Sequence, residues 1–285
     1  MKPKVKTLAK TAKIKPAAVK WAGWTDVGKV RKNNEDSFLG LMFDAQEVHR
    51  LGKFGEASTE NHDCTFAVCD GMGGAKAGEF ASNIAVEKIT SLLPRAFKHS
   101  NGDKLEGFET VLAELYKQVH QALVYLGRSY DECHGMQTTM SLCWFTPGWV
   151  YFGHVGDSRI YHLPKGQDQI LQLTEDDTHV GWLYRHGQIN EREARTHPRR
   201  NVLQKAMGGE NQFVEPQVGA VACGKGDIFL LCSDGLNEGL YDHHITDLLR
   251  ETAKGKDALA AKTLVDAAVR NDGRDNTTAL VVQVV

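Results

Sequence analysis

The chain has 285 residues, 41% hydrophobic and 25% charged, which is the composition of a globular protein and not of a disordered or fibrous one. Charge is nearly balanced, 34 basic against 36 acidic, but residues 1–20 hold seven lysines and no acid, leaving the rest with 27 basic against 36 acidic, a formal −9. An acidic body argues against a nucleic-acid-binding core; no apolar run is long enough to span a bilayer and no signal-peptide core opens the chain, so a cytoplasmic protein is expected.

Residues 1–20, "MKPKVKTLAKTAKIKPAAVK", read as a solvated, disordered Lys-rich tail. In "FAVCDGMGG", residues 66–74, an apolar strand-like run ends in Asp70 and gives way to glycines. The next segment, "GEFASNIAVEKITSLL", is helical by period: Phe80, Ile84, Lys88 and Leu92 recur at i+4 beside Ala81 and Ala85. After Gly107, the residues Leu112, Leu115, Val119, Ala122 and Leu126 form a second helical stripe, and both stripes read as core faces. "TTMSLCWF" and "WVYFGHV" flank "TPG" as a hairpin, and "RIYHL" and "QILQL" flank "PKGQD" as another. Shorter helices are expected near 178–185, 191–195, 243–250 and 258–269, and "DIFLLCS" and "TTALVVQVV" look like interior strands. Helices in pairs and strands in hairpins predict antiparallel sheets with helices outside, not βαβ alternation. The six cysteines form no C-x-x-C and read as reduced thiols, neither a disulfide frame nor a zinc site.

Asp70-Gly71 is open to two simple readings, a tight turn or a phosphate-binding glycine turn. The second fits poorly, since no Lys-Ser or Lys-Thr follows and the spacing is not G-x-G-x-x-G. The pattern recurs, however. "FLLCSDGL" ends an apolar run at Asp234, Asp275 stands just before the last strand, and Glu35-Asp36 leads into another apolar stretch. Carboxylates gathered at one rim of a sheet repel unless they are protonated or bridged by cations. Mg²⁺ and Mn²⁺ take such oxygen ligands, and a two-metal site bridged by one carboxylate is the economical arrangement.

Six motifs then fall in order: "TDVGKVRKNNED" (25–36), "VCDGMGG" (68–74), "GMQTTM" (135–140), "GDSR" (156–159), "LCSDGL" (231–236) and "RDNTTALVV" (274–282). Together they resemble the PPM family of metal-dependent serine/threonine protein phosphatases, the type 2C class, in its bacterial form. The resemblance spans residues 21–285 as one catalytic domain with a flap at about 174–209. It implies an α+β four-layer sandwich, two packed antiparallel β-sheets flanked by antiparallel helix pairs. It also implies two Mn²⁺ or Mg²⁺ ions, with a third, weaker one in some bacterial members.

Carried over by position, Asp70 would bridge the two ions, Glu35 and the Gly71 carbonyl would complete one site, and Asp234 and Asp275 the other. Asp36 would hold a metal-bound water, and Arg31 would clamp the substrate phosphate with its planar guanidinium. Of two acids upstream of "GMQTT", Asp131 and Glu132, the resemblance favours Asp131 for the third ion. Met72 stands where animal members carry a His that is a proposed general acid, so the leaving-group proton must come from elsewhere. Asp157 in "GDSR" reads as a turn residue. His197, His243 and His244 read as surface or capping residues, and Arg199-Arg200 as partners of nearby acids.

The function implied is hydrolysis of phosphoserine and phosphothreonine in proteins by a metal-activated water, opposing a serine/threonine kinase. Phosphorylated proteins are the expected partners, without nucleic acid or membrane span, and the chain is expected to be a monomer. Two alternatives stay open: a catalytically weak phosphoprotein-binding regulator on the same fold, and a small-phosphoester hydrolase.

Overall fold

The computed structural model describes residues 18–44, 46–73, 77–97, 104–210, 213–254 and 259–285. The Lys-rich stretch 1–17 lies outside them, as does Gly74 of the glycine run. Ala18–Lys20, counted in the tail by composition, are instead the first residues of strand β1 (Ala18–Asp26), because Val19 is buried against the sandwich core.

The remaining elements follow in order. First come β2 (Asp36–Phe43), β3 (Val48–Arg50), β4 (Phe54–Ser58), β5 (Asp63–Met72), α1 (Ala77–Phe97) and α2 (Lys104–Ser129). Next are β6 (Gln137–Thr138), β7 (Met140–Thr146), β8 (Trp149–Val155), β9 (Arg159–Leu163), β10 (Leu171–Gln172), α3 (His179–Arg185) and α4 (Glu191–Thr196). The chain closes with β11 (Met207–Gly208), β12 (Gln217–Ala222), β13 (Ile228–Cys232), α5 (Asp234–Gly239), α6 (Asp242–Lys254), α7 (Ala260–Asn271) and β14 (Thr277–Val284).

One sheet runs β10-β9-β13-β14-β1-β4; the other runs β3-β2-β5-β7-β8-β12, with β6 and β11 added at the end of β5. The ladders are antiparallel, and both expected hairpins, β7–β8 and β9–β10, are present. Strand alternation divides the side chains between two interfaces. Phe66, Val68, Phe145, Phe229, Leu231, Leu280 and Val282 fill the space between the sheets. The intervening Ala67, Cys69 and Leu142 face α1 and α2, while Leu230, Ala279 and Val281 face α5, α6 and α7. The result is the four-layer sandwich. The six cysteines are free.

One local expectation is corrected. The buried face of α1 is Ala77, Ala81, Ala85, Val86, Ile89 and Leu93, whereas Phe80 is 45% exposed. The helix starts so close to β5 that small residues face the sheet there, and Phe80 turns outward while Ile84 and Leu92 pack partly against the core. Asp234-Gly235 forms the first turn of the short helix α5, with Ser233 at its N-cap position.

Candidate metal centre

The strand ends that carry acids do converge on one rim. Asp36 opens β2 directly opposite Asp70 on β5, and Asp234 opens α5 just past β13. Asp275 precedes β14, the strand between β13 and β1. Asp70 is not the last residue of its strand: β5 runs on to Met72 because Gly71 and Met72 pair with Thr138 and Gln137.

Two threonines of "GMQTTM" fix the Asp70 backbone. Its N–H donates to Thr139 Oγ1 at 2.9 Å, and its carbonyl accepts from the Thr139 N–H at 2.8 Å and from Thr138 Oγ1 at 2.9 Å. The carboxylate is thus aimed by a rigid backbone. Gly71 cannot carry a side chain, since a Cβ there would strike the Gly78 carbonyl where α1 begins.

Asp36 is 7% exposed. Its Oδ2 accepts from Ser233 Oγ at 2.7 Å and from Thr278 Oγ1 at 2.6 Å, while Oδ1 is buried with no hydrogen-bond partner among the described residues. Burial pushes the Asp36 carboxyl up to about 6, against the opposing pull of the two hydroxyls. Burial also holds Asp70 and Asp234 well above the ordinary carboxylate range. The charges of Asp36, Asp234 and Asp157 add to this at Asp70, and those of Asp157, Asp275 and Glu238 at Asp234. Glu35 is raised by burial, partly offset by Arg31. The Arg31 guanidinium is raised chiefly by its hydrogen bond to Asp275, Nη2 to Oδ2 at 2.7 Å.

Asp157 belongs with this set. The "GDSR" segment does make a turn, with Gly156 at φ +115°, but the turn lies on the rim, and burial lifts Asp157 to about 7. Asp131 is exposed on a short 3-10 turn after α2. The structure therefore gathers the buried Asp36 and the partly buried Asp70, Asp234 and Asp157, with Glu35, Asp275 and Arg31 beside them, whereas Asp131 is exposed.

Does this arrangement suit divalent cations? Among the described residues, no three acidic, His or Cys side chains stand at the spacing of a closed metal site. Ser233 and Thr278 hold Asp36, and Arg31 holds Asp275, so the acids are grouped without closing on one point. The chemistry nonetheless fits. The donors are all oxygen, the acids destabilise one another by burial and like charge, and one buried carboxylate oxygen lacks a partner.

A cavity of ≈ 630 Å³ opens beside Asp157 and Asp234 and runs beneath α3 and α4, past Tyr184, Arg195 and Tyr241. Those two helices lie in the segment 174–209 expected to form a flap. Its ends meet at Thr178 and Leu203, and the Asp177 carbonyl accepts from the Gln204 N–H at 2.7 Å. Arg195 donates to the carbonyls of Asn237 and Leu240 and lies 3.9 Å over the Tyr241 ring. Arg200 pairs with Glu238 at 3.1 Å, as expected of an arginine with acidic neighbours. His186 stays outside, stacked on Trp182.

The polar residues that set this geometry, Thr138, Thr139, Ser233, Asn276 and Thr278, were not expected as site residues. All five lie inside the quoted motifs, and that was the available signal. No helix among the described residues is long and apolar enough to cross a membrane.

The sequence profile of the Protein phosphatase 2C family matches residues 53–268. The serine/threonine phosphatase stp of Listeria innocua is 34% identical over 262 residues, 91% of this chain and 93% of that protein. PstP of Mycobacterium tuberculosis is 32% identical over 273 residues, 94% of this chain but 45% of that longer protein. The crystal structure of Staphylococcus aureus serine/threonine phosphatase Stp1 superposes with a TM-score of 0.77 at 28% identity, covering 99% of both chains. The PstP catalytic domain in complex with two manganese ions superposes at 0.71 and 29% identity, covering 94% of this chain and 99% of that one.

Proposed function

The chain belongs to the protein phosphatase 2C family and is a serine/threonine protein phosphatase, and on that premise we propose that it cleaves phosphoserine and phosphothreonine at a dinuclear Mn²⁺ or Mg²⁺ centre on the Asp70 rim. The observation that carries this reading is the convergence of Asp36, Asp70 and Asp234 on one rim, where desolvation and like charge hold their carboxyls above the ordinary range. Asp70 would bridge the ions, with Glu35 and the Gly71 carbonyl on one side and Asp234 and Asp275 on the other. When bound, the ions supply charge neutralisation at phosphorus and an acidified water as nucleophile. Asp131, exposed on the turn after α2, is the acid we assign to a third, weaker ion.

The chain's own groups do the rest. Arg31, whose side chain is half exposed, turns its guanidinium from Asp275 to two oxygens of the incoming phosphate. Asp36 spends one oxygen on Ser233 and Thr278, which leaves Oδ1 to accept from a water and orient it. Met72 has no proton to give, so solvent water protonates the departing Ser or Thr oxygen. The cavity under the flap receives the protein segment around the phosphorylated residue. A phosphatase of this kind works against a serine/threonine kinase and acts as a monomer. We read residues 1–17 as an appendage to a catalytic domain that starts with β1.

The test is hydrolysis of p-nitrophenyl phosphate and of a phosphothreonine peptide, each with Mn²⁺, Mg²⁺ or EDTA. Turnover of both with metal and of neither with EDTA is expected. Turnover of small esters alone would make the chain a small-phosphoester hydrolase, and binding of the peptide without turnover would make it a phosphoprotein-binding regulator.

A further inference from the structure

Asp275, Asn276 and Thr278 each hold a different part of the rim. Asp275 takes Arg31, Thr278 takes Asp36, and between them Asn276 is 4% exposed and binds main chain alone. Asn276 Nδ2 donates to the Val27 and Asn33 carbonyls, both at 3.0 Å, and Oδ1 accepts from the Glu35 N–H at 2.8 Å. One amide thus grips both ends of the irregular segment 27–35, which connects β1 to β2 and carries Arg31 and Glu35. The far side of the Glu35 peptide is fixed as well, since its carbonyl accepts from the Gly71 N–H at 3.1 Å.

We infer that Asn276 is a positioning residue that sets where Arg31 and Glu35 stand relative to Asp275 and Asp70; this rests on the roles given to Arg31 and Glu35 above. The chemistry of the three contacts selects asparagine. They require two donors and one acceptor in one plane, on a short stem at the residue just before β14. Aspartate keeps the shape but turns an oxygen toward two carbonyl oxygens. Alanine leaves one N–H and two carbonyls without their partner, and glutamine moves the amide by a methylene. Holding both ends of the segment makes its middle arch outward, and Arg31 stands on that arch with its side chain 51% exposed. The backbone at Lys29 is pinned separately by its N–H to the Gly273 carbonyl at 2.7 Å, so the arch is anchored at three places to the residues just before β14.

A purely structural turn-holder would lower stability when removed and leave the folded protein's kinetics alone. A positioning residue moves both substrate binding and metal binding. The experiment uses the full chain, first free of metal, by residue-resolved amide hydrogen exchange, and then with Mn²⁺ and p-nitrophenyl phosphate.

In the wild type, the Glu35 amide should be protected although it lies in no strand. In Asn276→Ala and Asn276→Asp, segment 27–35 should exchange about tenfold faster or more while Ile228–Cys232 keeps its protection. KM and the Mn²⁺ half-saturation concentration, measured by calorimetry, should each rise about tenfold at equal folded concentration. A wild-type Glu35 amide that exchanges like a free amide overturns the inference, and this needs no variant to fold. Folded variants with faster exchange but unchanged KM and Mn²⁺ affinity overturn it as well, as do variants whose only change is a lower Tm. A wild type that hydrolyses nothing removes the phosphatase reading of this site, and the exchange and calorimetry still decide the role of Asn276.

Discussion

Arg31 and Asp275, 244 positions apart in sequence, meet with Nη2 2.7 Å from Oδ2 at the edge of the buried acidic group. The pair is half exposed on the arginine side, so it adds at most about 1 kcal/mol to stability. Its interest is positional, because it parks a guanidinium beside the carboxylates that would hold the metals.

Arg31→Ala should therefore leave Tm within about 3 °C of the wild type while raising KM for a phosphothreonine peptide by about tenfold. Arg31→Lys should also suffer, since an ammonium cannot supply the two-donor fork. Steady-state kinetics and a thermal melt on both variants check this, and unchanged kinetics in both would take Arg31 out of the site.

Asp70→Asn should remain folded, because Thr138 and Thr139 hold the backbone of residue 70 and not its carboxylate. Its rate should fall by about 100-fold or more, as removing one charge from a bridging ligand weakens both the metals and the neutralisation of phosphate charge. Circular dichroism and kcat with saturating Mn²⁺ decide the matter. A folded variant with near-normal turnover would move the bridge to another residue.

Burial holds Asp36 at about 6 and Asp157 at about 7, above the unfolded aspartate value near 4. Between these values the folded chain retains protons that the unfolded chain has released. The associated stability is complete below about pH 4 and lost as pH rises through about 6 to 7. In EDTA, Tm should fall between pH 5 and pH 8. In saturating Mn²⁺ the trend should flatten or reverse, since cations favour the charged carboxylates. A Tm in EDTA that rises steadily over this range would contradict the buried acidic group.

Arg195 fastens the flap to α5 through the Asn237 and Leu240 carbonyls and the Tyr241 ring. Arg195→Ala should loosen the wall of the cavity without touching the rim acids. The expected result is a drop of about tenfold in kcat/KM for the phosphothreonine peptide and little change for p-nitrophenyl phosphate, which is too small to reach the flap. Equal losses on both substrates would show that the flap serves the chemistry itself.

Met72→His offers a proton where the native side chain has none. A p-nitrophenolate departs without protonation and a threonine alkoxide does not, so the substitution should favour the peptide over the small ester if the imidazole reaches the leaving oxygen. The ratio of kcat/KM for the two substrates in wild type, Met72→Ala and Met72→His is the measurement. A selective loss of the peptide reaction in Met72→Ala would show that residue 72 does take part in leaving-group departure.

The charged part of the rim was legible because the acids flank apolar runs, which end at Asp70 and Asp234 and begin after Asp275 and Glu35-Asp36, and ionisable groups at the ends of buried strands are rare enough to be noticed. Asp157 was hidden because "GDSR" is good turn chemistry, and Gly156 does adopt a turn conformation; nothing local reveals that the turn lies on the rim. Ser233, Asn276 and Thr278 carry no charge, and their roles depend on partners up to 249 positions distant, as with Asn276 and Val27. Antiparallel sheets with helices outside were legible from hairpin spacing and strand apolarity, and the four-layer sandwich from the resemblance that the six motifs carry. The helical face of α1 was misread by one ridge, because i+4 periodicity fits Phe80–Ile84 and Ala81–Ala85 alike, and only the closeness of β5 chooses the alanines.

β14 lies in the middle of its sheet, between β13 and β1, although it is the last strand in sequence. Its ladder with β1 joins Val19 to Val284 and Asp26 to Thr277. Such distant pairing imposes a slow folding step, because the chain must close nearly its whole length before the ladder rewards it. During synthesis, β1 and β13 wait with open apolar edges until residues 277–284 leave the ribosome. Asp36, Arg31 and the segment 27–35 wait with them, since their partners are Thr278, Asp275 and Asn276. A nascent chain stopped short of this strand therefore holds most of the acidic residues of the site but has no assembled site and presents two sticky edges to chaperones. Phosphatase capacity should appear in step with completion of the fold, with no partly active intermediate before it.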